Sequence, residues 1–171
     1  MCLDMGVHLF FVDLRWGVTV DQATNGEVVN ICLSEMERSD YFVGFLGARY
    51  GWRPTRQDLT AETFERFPFI NSYIPGRSVT ELEFIYGALG WESGCSCTPY
   101  RAFLYEREDS YYDTLEPEKL EYYCESQAMA KTKLRDLKRR ALGRYKESTE
   151  LKGKASSGSN LPFVEVHKEY A

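Results

Sequence analysis

The pattern that most constrains the fold is an alternation of short apolar runs with longer segments of helical periodicity. The apolar runs lie at residues 7–14, 41–46 and 100–105, and each is rich in aliphatic and aromatic residues. A short, continuously apolar run is typical of a strand covered on both faces. Strands that alternate with helices favour a parallel sheet with helices on both sides. The sequence therefore predicts an α/β fold, with residues 161–166 as a candidate final strand.

Helical periodicity fills the segments between these runs. The first helix is predicted over residues 26–38, after Thr24 and Asn25, whose short polar side chains suit a helix N-cap. Its expected inward-facing residues are Val28, Ile31, Cys32, Leu33 and Met36. One or two helical turns are expected near residues 61–66, within a long connection over residues 55–77.

Two further helices have clear start signals. Ser78 and Glu81 have the spacing of a capping box, in which the hydroxyl accepts from the third helical amide and the carboxylate reaches back. That helix is predicted to end near Gly90. Pro117 suits the first turn of a long final helix. The apolar stripe of this final helix is formed by Leu120, Tyr123, Cys124, Leu134, Leu137 and Ala141.

Composition places the chain among globular proteins of one domain. It has 171 residues, of which 43% are hydrophobic and 15% aromatic. We assign residues 1–150 to an α/β domain, partial at its N-terminus. Residues 151–171 form a polar linker and a candidate terminal strand. No apolar run reaches the length that spans a bilayer.

The net charge of −5 argues against a phosphate backbone as a general partner. Basic residues nevertheless crowd the final helix. They are Lys131, Lys133, Arg135, Lys138, Arg139, Arg140, Arg144 and Lys146. A solvated helix face explains this crowding better than a nucleic-acid site, so we expect no direct nucleic-acid contact.

The cysteines indicate a reducing compartment. Their number is five, which is odd, and without a signal peptide this argues against a disulfide framework. Cys95 and Cys97 could suggest a metal, but no second pair follows at zinc-finger spacing. We therefore predict a cytoplasmic location and no metal site.

The end of the first apolar run concentrates polar side chains. Asp13, Arg15 and Trp16 follow directly on residues 7–12. In open α/β sheets, ligands bind at the carboxyl ends of the strands. An Asp–Arg pair at a strand end can equally tie down the following loop by hydrogen bonds. The sequence thus predicts either a ligand site or a loop anchor at this edge.

Three blocks of sequence carry a resemblance to a known family. They are residues 13–17 (DLRWG), 42–52 (FVGFLGARYGW) and 78–83 (SVTELE). Together they resemble the TIR-like domain that precedes the NACHT module in vault- and telomerase-associated WD-repeat proteins and in nephrocystin-type proteins. The resemblance implies a three-layer, flavodoxin-like sandwich with a mostly parallel sheet. Since that domain normally has a strand and a helix ahead of DLRWG, the chain is expected to lack its first strand and helix.

The resemblance also implies a site. TIR domains that cleave NAD use a glutamate near the start of a helix, and Glu83 is its counterpart here. A competing interpretation makes Glu83 a solvated residue or an ion-pair partner of Arg15 or Arg49. We expect the candidate catalytic Glu83 to share one cleft with a set of ligand-binding residues. They are Asp13, Arg15, Trp16, Arg49, Ser78 and Glu81.

Two functions follow from the resemblance. The preferred one is an intracellular protein-interaction and signalling module of a NACHT-type NTPase or ribonucleoprotein component, which self-associates or docks to a NACHT-containing region. The alternative is an NAD(P)-cleaving N-glycosidic hydrolase or transferase of the TIR type, with NAD as ligand or substrate and no other cofactor. We prefer the first because loss of the opening strand and helix would remove one wall of the pocket.

Overall fold

The computed structural model describes Phe10 and residues 26–90, 101–154 and 163–167. The predicted N-cap at residues 24–25 and the rest of the predicted strand at residues 7–14 lie outside this part. Phe10 is the one described residue of that strand prediction. It belongs to no strand and is 87% exposed, contrary to the expected burial.

The described strands form one parallel sheet in the order β1–β2–β3. They are β1 (Tyr41–Leu46), β2 (Arg101–Glu106) and β3 (Phe163–His167). Tyr41 lies opposite Arg101, and Arg101 lies opposite Phe163. The parallel α/β class and the strands predicted at residues 41–46 and 100–105 are confirmed, and the candidate final strand is present.

One described helix precedes β1, and the others lie between the strands. They are α1 (Val28–Glu37), α2 (Ala61–Arg66), α3 (Val79–Phe84), α4 (Ser110–Asp113), α5 (Pro117–Tyr123) and α6 (Ala128–Lys154). α2 is the short helix expected near residues 61–66. α3 begins after Ser78 as predicted, and a π-helical segment, Ile85–Leu89, continues it to Gly90.

The inward face of α1 differs in part from the prediction. Cys32, Leu33 and Met36 are buried as expected, whereas Val28 and Ile31 are only partly buried. The phase of the helix instead turns Val29 into the apolar cluster that α1 shares with α3, where it is fully buried.

The single long helix expected after Pro117 is two helices, so that prediction is wrong. α5 ends at Tyr123, the backbone of Cys124 is extended, and α6 begins at Ala128. Cys124 pairs with Ala48 in an isolated parallel bridge, because Glu125 donates its amide to the Ala48 carbonyl oxygen at 2.8 Å. Because of this pairing, the segment that connects α5 and α6 is not helical.

The remainder of that helix prediction holds only for α6. Leu134, Leu137 and Ala141 are buried, whereas Tyr123 is 44% exposed. α6 also continues to Lys154, so the first residues of the predicted linker are helical. Within the described residues, no helix combines the length and apolar character that crossing a bilayer requires.

The described helices that pack on the sheet use the face formed by the even-numbered residues of β1 and β2. The cluster on this face joins β1, β2, α3, the π-helical segment and α6. Its buried members are Leu46, Phe84, Ala88, Ala102, Leu104, Leu137 and Ala141. A second cluster packs α1 and α3 against the connection that follows α2. It includes Val29, Leu33, Met36, Ile70, Leu82 and Tyr86.

Gly44 is a point where β1 and α3 approach closely. A Cβ atom on Gly44 would lie 2.5 Å from Cζ of Phe84, whose side chain is buried. We expect Gly44→Ala to lower the free energy of unfolding by about 1–3 kcal/mol, because overpacking a filled core forces backbone shifts. Urea denaturation measures the change.

Gly143 in α6 is the matched control, since a Cβ atom there would meet nothing within 4 Å. Gly143→Ala should raise the free energy of unfolding by up to about 1 kcal/mol, because alanine is the better helix former. Equal destabilisation by both variants would contradict the close approach at Gly44.

Candidate functional site

The loop that follows β1 docks on the N-terminus of α3. The amide of Val79 donates to the Trp52 carbonyl oxygen at 3.0 Å. Gly51 has a φ of +92°, a conformation that favours glycine, and its Cα faces Ser78 and Thr80. Two of the three sequence blocks, residues 42–52 and 78–83, therefore meet in the structure.

Glu81 is the centre of this contact and is fully buried. Its carboxylate accepts hydrogen bonds from the Tyr50 hydroxyl and from Arg140, and Arg77 Nη1 lies 3.1 Å from Oε1. Its backbone amide donates to Ser78 Oγ at 3.2 Å. Of the two hydrogen bonds of the predicted capping box, only this one is present. The Glu81 carboxylate does not reach back to the helix start, because it turns toward Tyr50, Arg77 and Arg140.

Burial of the Tyr50 hydroxyl has an electrostatic consequence. The Tyr50 side chain is 1% exposed. Burial, followed by the hydrogen bond to Glu81 and its negative charge, raises the pKa of Tyr50 to about 12. Tyr50 therefore stays protonated at physiological pH and acts as a permanent donor to Glu81.

The basic side of α6 contributes to the same region. Arg140 also contacts Asp136 at 3.1 Å, and Lys133 donates to the Gly76 carbonyl oxygen. Lys138 pairs with Glu106 of β2 at 3.0 Å. The interpretation of the basic residues as a solvated face is wrong for these three positions, because α6 turns them toward the loop, the sheet and Glu81.

Asp136 is held ionised by its neighbours on α6. A hydrogen bond from Arg139 at 2.5 Å, together with the charges of Arg140 and Arg139, keeps the pKa of Asp136 below its usual range. Asp136 thus neutralises part of the positive charge that surrounds the buried Glu81.

Glu83 lies on the other side of α3 from Glu81, because side chains two positions apart along a helix point about 200° away from each other. It is partly buried and faces Cys32 of α1. Burial raises the pKa of Glu83 to about 7, while a hydrogen bond with Cys32 lowers it slightly. Burial, and then the charge of Glu83, also raises the pKa of the Cys32 thiol.

The predicted ligand-binding residues do not share one set of contacts. Arg49 is exposed and donates to the Tyr122 carbonyl oxygen at 2.8 Å. Glu83 instead contacts Cys32, while Ser78 and Glu81 belong to the buried network. Asp13, Arg15 and Trp16 lie outside the described residues, so the cleft remains a prediction.

An exposed surface, which we call the corner surface, lies over the Glu81 network. Residues 48–53 and 122–129 run side by side there, joined by the Ala48–Cys124 bridge and by Arg53, which donates to Gln127 Oε1 at 2.5 Å. Its large apolar side chains are exposed by 44% to 72%. They are Trp52, Tyr122, Tyr123 and Met129.

Four residues of this region escaped sequence reasoning. Tyr50, Arg77 and Arg140 are up to 90 positions apart along the chain, and nothing in their spacing indicates a common carboxylate. Cys32 carries a helical-spacing signal for burial, but that signal does not indicate a partner. The spacing of Arg77 and Glu81, four positions apart across a helix start, was the one available clue.

Comparison with known proteins gives a family. Residues 6–157 match the family described as "Domain of unknown function (DUF4062)". The chain belongs to this family. No solved structure matches it.

Curated relatives match parts of the chain. A TPR repeat-containing protein of Dictyostelium discoideum is 36% identical over 94 residues, which is 49% of this chain. Telomerase protein component 1 of Rattus norvegicus and that of Mus musculus are each 42% identical over 77 residues, or 45% of the chain. The matched part spans 6% of the length of the first relative and 3% of the length of each of the others.

The contacts of Glu81 predict that its replacement strongly lowers the stability of the fold. We expect Glu81→Gln to lower the free energy of unfolding by about 2–4 kcal/mol, because Tyr50, Arg77 and Arg140 lose the charge they surround. Urea denaturation measures it. Glu65→Gln, at an exposed position of α2, is the control and should change stability by less than about 0.5 kcal/mol. Similar small effects of both would show that the network contributes little.

The raised pKa of Glu83 predicts that the stability of the fold depends on pH. In the folded chain it keeps its proton up to about pH 7, whereas in the unfolded chain it ionises near its ordinary pKa of 4.5. Its contribution to stability is therefore full below pH 4.5 and is lost as the pH rises through 7. Glu83→Gln should remove this loss and stabilise the chain at pH 8 by about 1–3 kcal/mol.

Thermal or urea unfolding at pH 5 and at pH 8 checks this prediction. Glu62→Gln, at an exposed position of α2, should follow the pH dependence of the unchanged chain. If Glu83→Gln follows it as well, the Glu83 carboxyl is not the group that titrates.

Proposed function

We propose that this chain is a protein-interaction module of a larger multidomain protein, and that the corner surface binds its partner. The main observation that supports this proposal is the composition of that surface. Trp52, Tyr122, Tyr123 and Met129 are exposed there beside Arg49. Tryptophan, tyrosine, methionine and arginine are the residues enriched in protein interfaces, and the first two dominate binding energies together with arginine.

The base of the corner surface supports the same function. The Glu81 network and the Ala48–Cys124 bridge join the loop after β1 to α3, α5 and α6. Arg49 and Arg53 are each held by a hydrogen bond to the 122–127 segment. A surface that is ordered before binding loses less conformational entropy when its partner arrives.

A TIR-related, flavodoxin-like fold is part of this proposal. The described strands lie side by side in chain order and are parallel. In a flavodoxin-like sheet, with strand order 2-1-3-4-5, the last three strands have this arrangement.

The relatives support a place within a large assembly. Two are named Telomerase protein component 1 and one is a TPR repeat-containing protein, and the matched part is a small share of each. We propose that this chain likewise belongs to a large cytoplasmic protein, with a NACHT-type region and WD repeats beyond it, in a ribonucleoprotein assembly.

Glu83 favours a second candidate function. A partly buried carboxyl group with a pKa near 7 suits acid–base work. Cleavage of the N-glycosidic bond of NAD is the reaction that the resemblance attaches to this position. We rank it second because the described contact of Glu83 is with Cys32, whereas Arg49 donates to the Tyr122 carbonyl oxygen.

The test replaces two exposed residues of the corner surface in the full-length protein. Trp52→Ser with Tyr122→Ser should reduce at least one co-purifying protein by about ten-fold or more, since interface aromatics contribute strongly. Quantitative mass spectrometry measures the bound proteins, and thermal unfolding shows that the fold is kept. Glu65→Ser on α2 is the control. An unchanged set of bound proteins would refute the corner surface.

The same purified protein decides between the two functions. We expect no consumption of NAD, because the described polar contact of Glu83 is with the Cys32 thiol of the neighbouring helix α1. NAD turnover that is abolished by Glu83→Gln would favour the enzyme instead.

A further inference from the structure

Exposed acidic residues crowd the segment that follows β2. Residues 108–121 contain six acidic residues and one lysine, so this segment has a net charge of −5. It includes α4 and α5, which lie against each other, since the rings of Tyr111 and Tyr123 are in edge-to-face contact with centroids 6.4 Å apart. We call residues 108–121 the acidic surface. Its acidic residues are all exposed, and they are Glu108, Asp109, Asp113, Glu116, Glu118 and Glu121.

The basic residues of α6 that are exposed form a stripe of the opposite sign. Lys131, Arg135 and Arg139 are exposed and lie four positions apart, so they follow one another along one side of the helix over about 12 Å. The buried Leu134 and Leu137 lie on another side of α6. We call Lys131, Arg135 and Arg139 the basic stripe.

The two surfaces occupy different parts of the molecule. The acidic surface follows the carboxyl end of β2, where the amide of Arg107 donates to the Leu46 carbonyl oxygen at 2.9 Å. The basic stripe lies on α6, which packs across one face of the sheet through Leu137 and Ala141. One copy of the chain therefore presents its two charges at separate places.

The ion pairs that the structure describes at these surfaces are local. Glu116 pairs with Lys119 at 3.1 Å, three positions along α5. Arg139 pairs with Asp136 at 2.5 Å, three positions along α6. The remaining charges of each surface are exposed to solvent and available to a partner of opposite sign.

Charge complementarity favours a second copy of the chain as that partner. Every copy carries both surfaces, so each one brings the surface that the other requires. A nucleic acid at the basic stripe would instead meet a chain with a net charge of −5 and a strongly acidic surface. Opposite potentials steer two proteins together and fix the register in which they dock.

We propose that the chain self-associates head to tail, with the basic stripe of one copy on the acidic surface of the next. Each copy then uses different surfaces toward its two neighbours, so the contact extends into chains or closes into rings. Exposed ion pairs contribute little individually and are screened by salt, so the contact is weak unless a larger assembly holds copies together. It involves neither residues 48–53 nor residues 122–129 and does not rest on the corner surface.

Sedimentation analysis of the purified full chain tests self-association. At about 0.1 M salt, where the Debye length is about 10 Å, we expect the average mass to rise with protein concentration. At about 1 M salt, where the Debye length is about 3 Å, the mass should fall to that of one chain. A single-chain mass at every concentration up to the solubility limit in the lower salt would overturn the proposal, as would a mass that salt leaves unchanged.

Two charge-reversed variants identify the surfaces. Asp113→Lys with Glu121→Lys alters the acidic surface in the last turns of α4 and α5, where lysine suits the helix dipole. Lys131→Glu with Arg135→Glu alters the basic stripe. Each variant alone should associate at least about ten-fold more weakly than the unchanged chain, because like charges then face each other. An equimolar mixture should recover association, because the intact stripe of the first meets the intact acidic surface of the second.

Glu62→Lys with Glu65→Lys is the matched control. It makes the same change of net charge as the variant of the acidic surface, but at two exposed positions of α2. It should associate like the unchanged chain. Equal weakening by this control, or a mixture of the two charge-reversed variants that stays dissociated, would overturn the proposal.

Thermal unfolding shows whether each variant keeps its fold. If a charge-reversed variant unfolds, neutral substitutions take its place, Asp113→Asn with Glu121→Gln or Lys131→Gln with Arg135→Gln. These should also weaken association, and unchanged association would refute the contact. A short single-stranded RNA is the probe for a polyanion. RNA binding that Lys131→Glu with Arg135→Glu abolishes, by a chain that does not self-associate, would overturn the proposal and assign the stripe to nucleic acid.

Discussion

The buried carboxylate of Glu81 is the interaction on which the functional end of this chain depends. It is fully buried at the start of α3 and is surrounded by Tyr50 from the loop after β1 and by Arg140 from α6. A charge in this position is costly unless each oxygen is satisfied. The need to satisfy the Glu81 carboxylate therefore fixes how the loop after β1, α3 and α6 approach one another. The shape of the corner surface depends on that arrangement.

The two glutamates of the 78–83 block illustrate how one helix can separate two roles. Glu81 turns toward cations and a hydroxyl, which keep its charge compensated. Glu83 turns toward Cys32 and away from solvent, and this burial raises the pKa of Glu83 to about 7. A separation of two positions along α3 is enough to place similar side chains in opposite electrostatic environments.

Local patterns predicted local structure well. The apolar runs at residues 41–46 and 100–105, the Ser78 helix start and the short helix near residues 61–66 needed only periodicity and capping rules. The break at Cys124 was not predictable in this way, because its cause is pairing with Ala48, which is distant in sequence. The inward basic residues of α6 were missed for the same reason, since periodicity alone does not reveal a buried carboxylate.

The distance along the chain between Glu81 and Arg140 has a consequence for synthesis. The two residues are 59 positions apart. At about 5–20 residues per second, the ribosome needs about 3–12 seconds to add Arg140 after Glu81. During that interval the nascent chain carries the carboxylate without its later cation. The loop after β1 and the start of α3 therefore cannot reach their final packing until most of the domain has been translated.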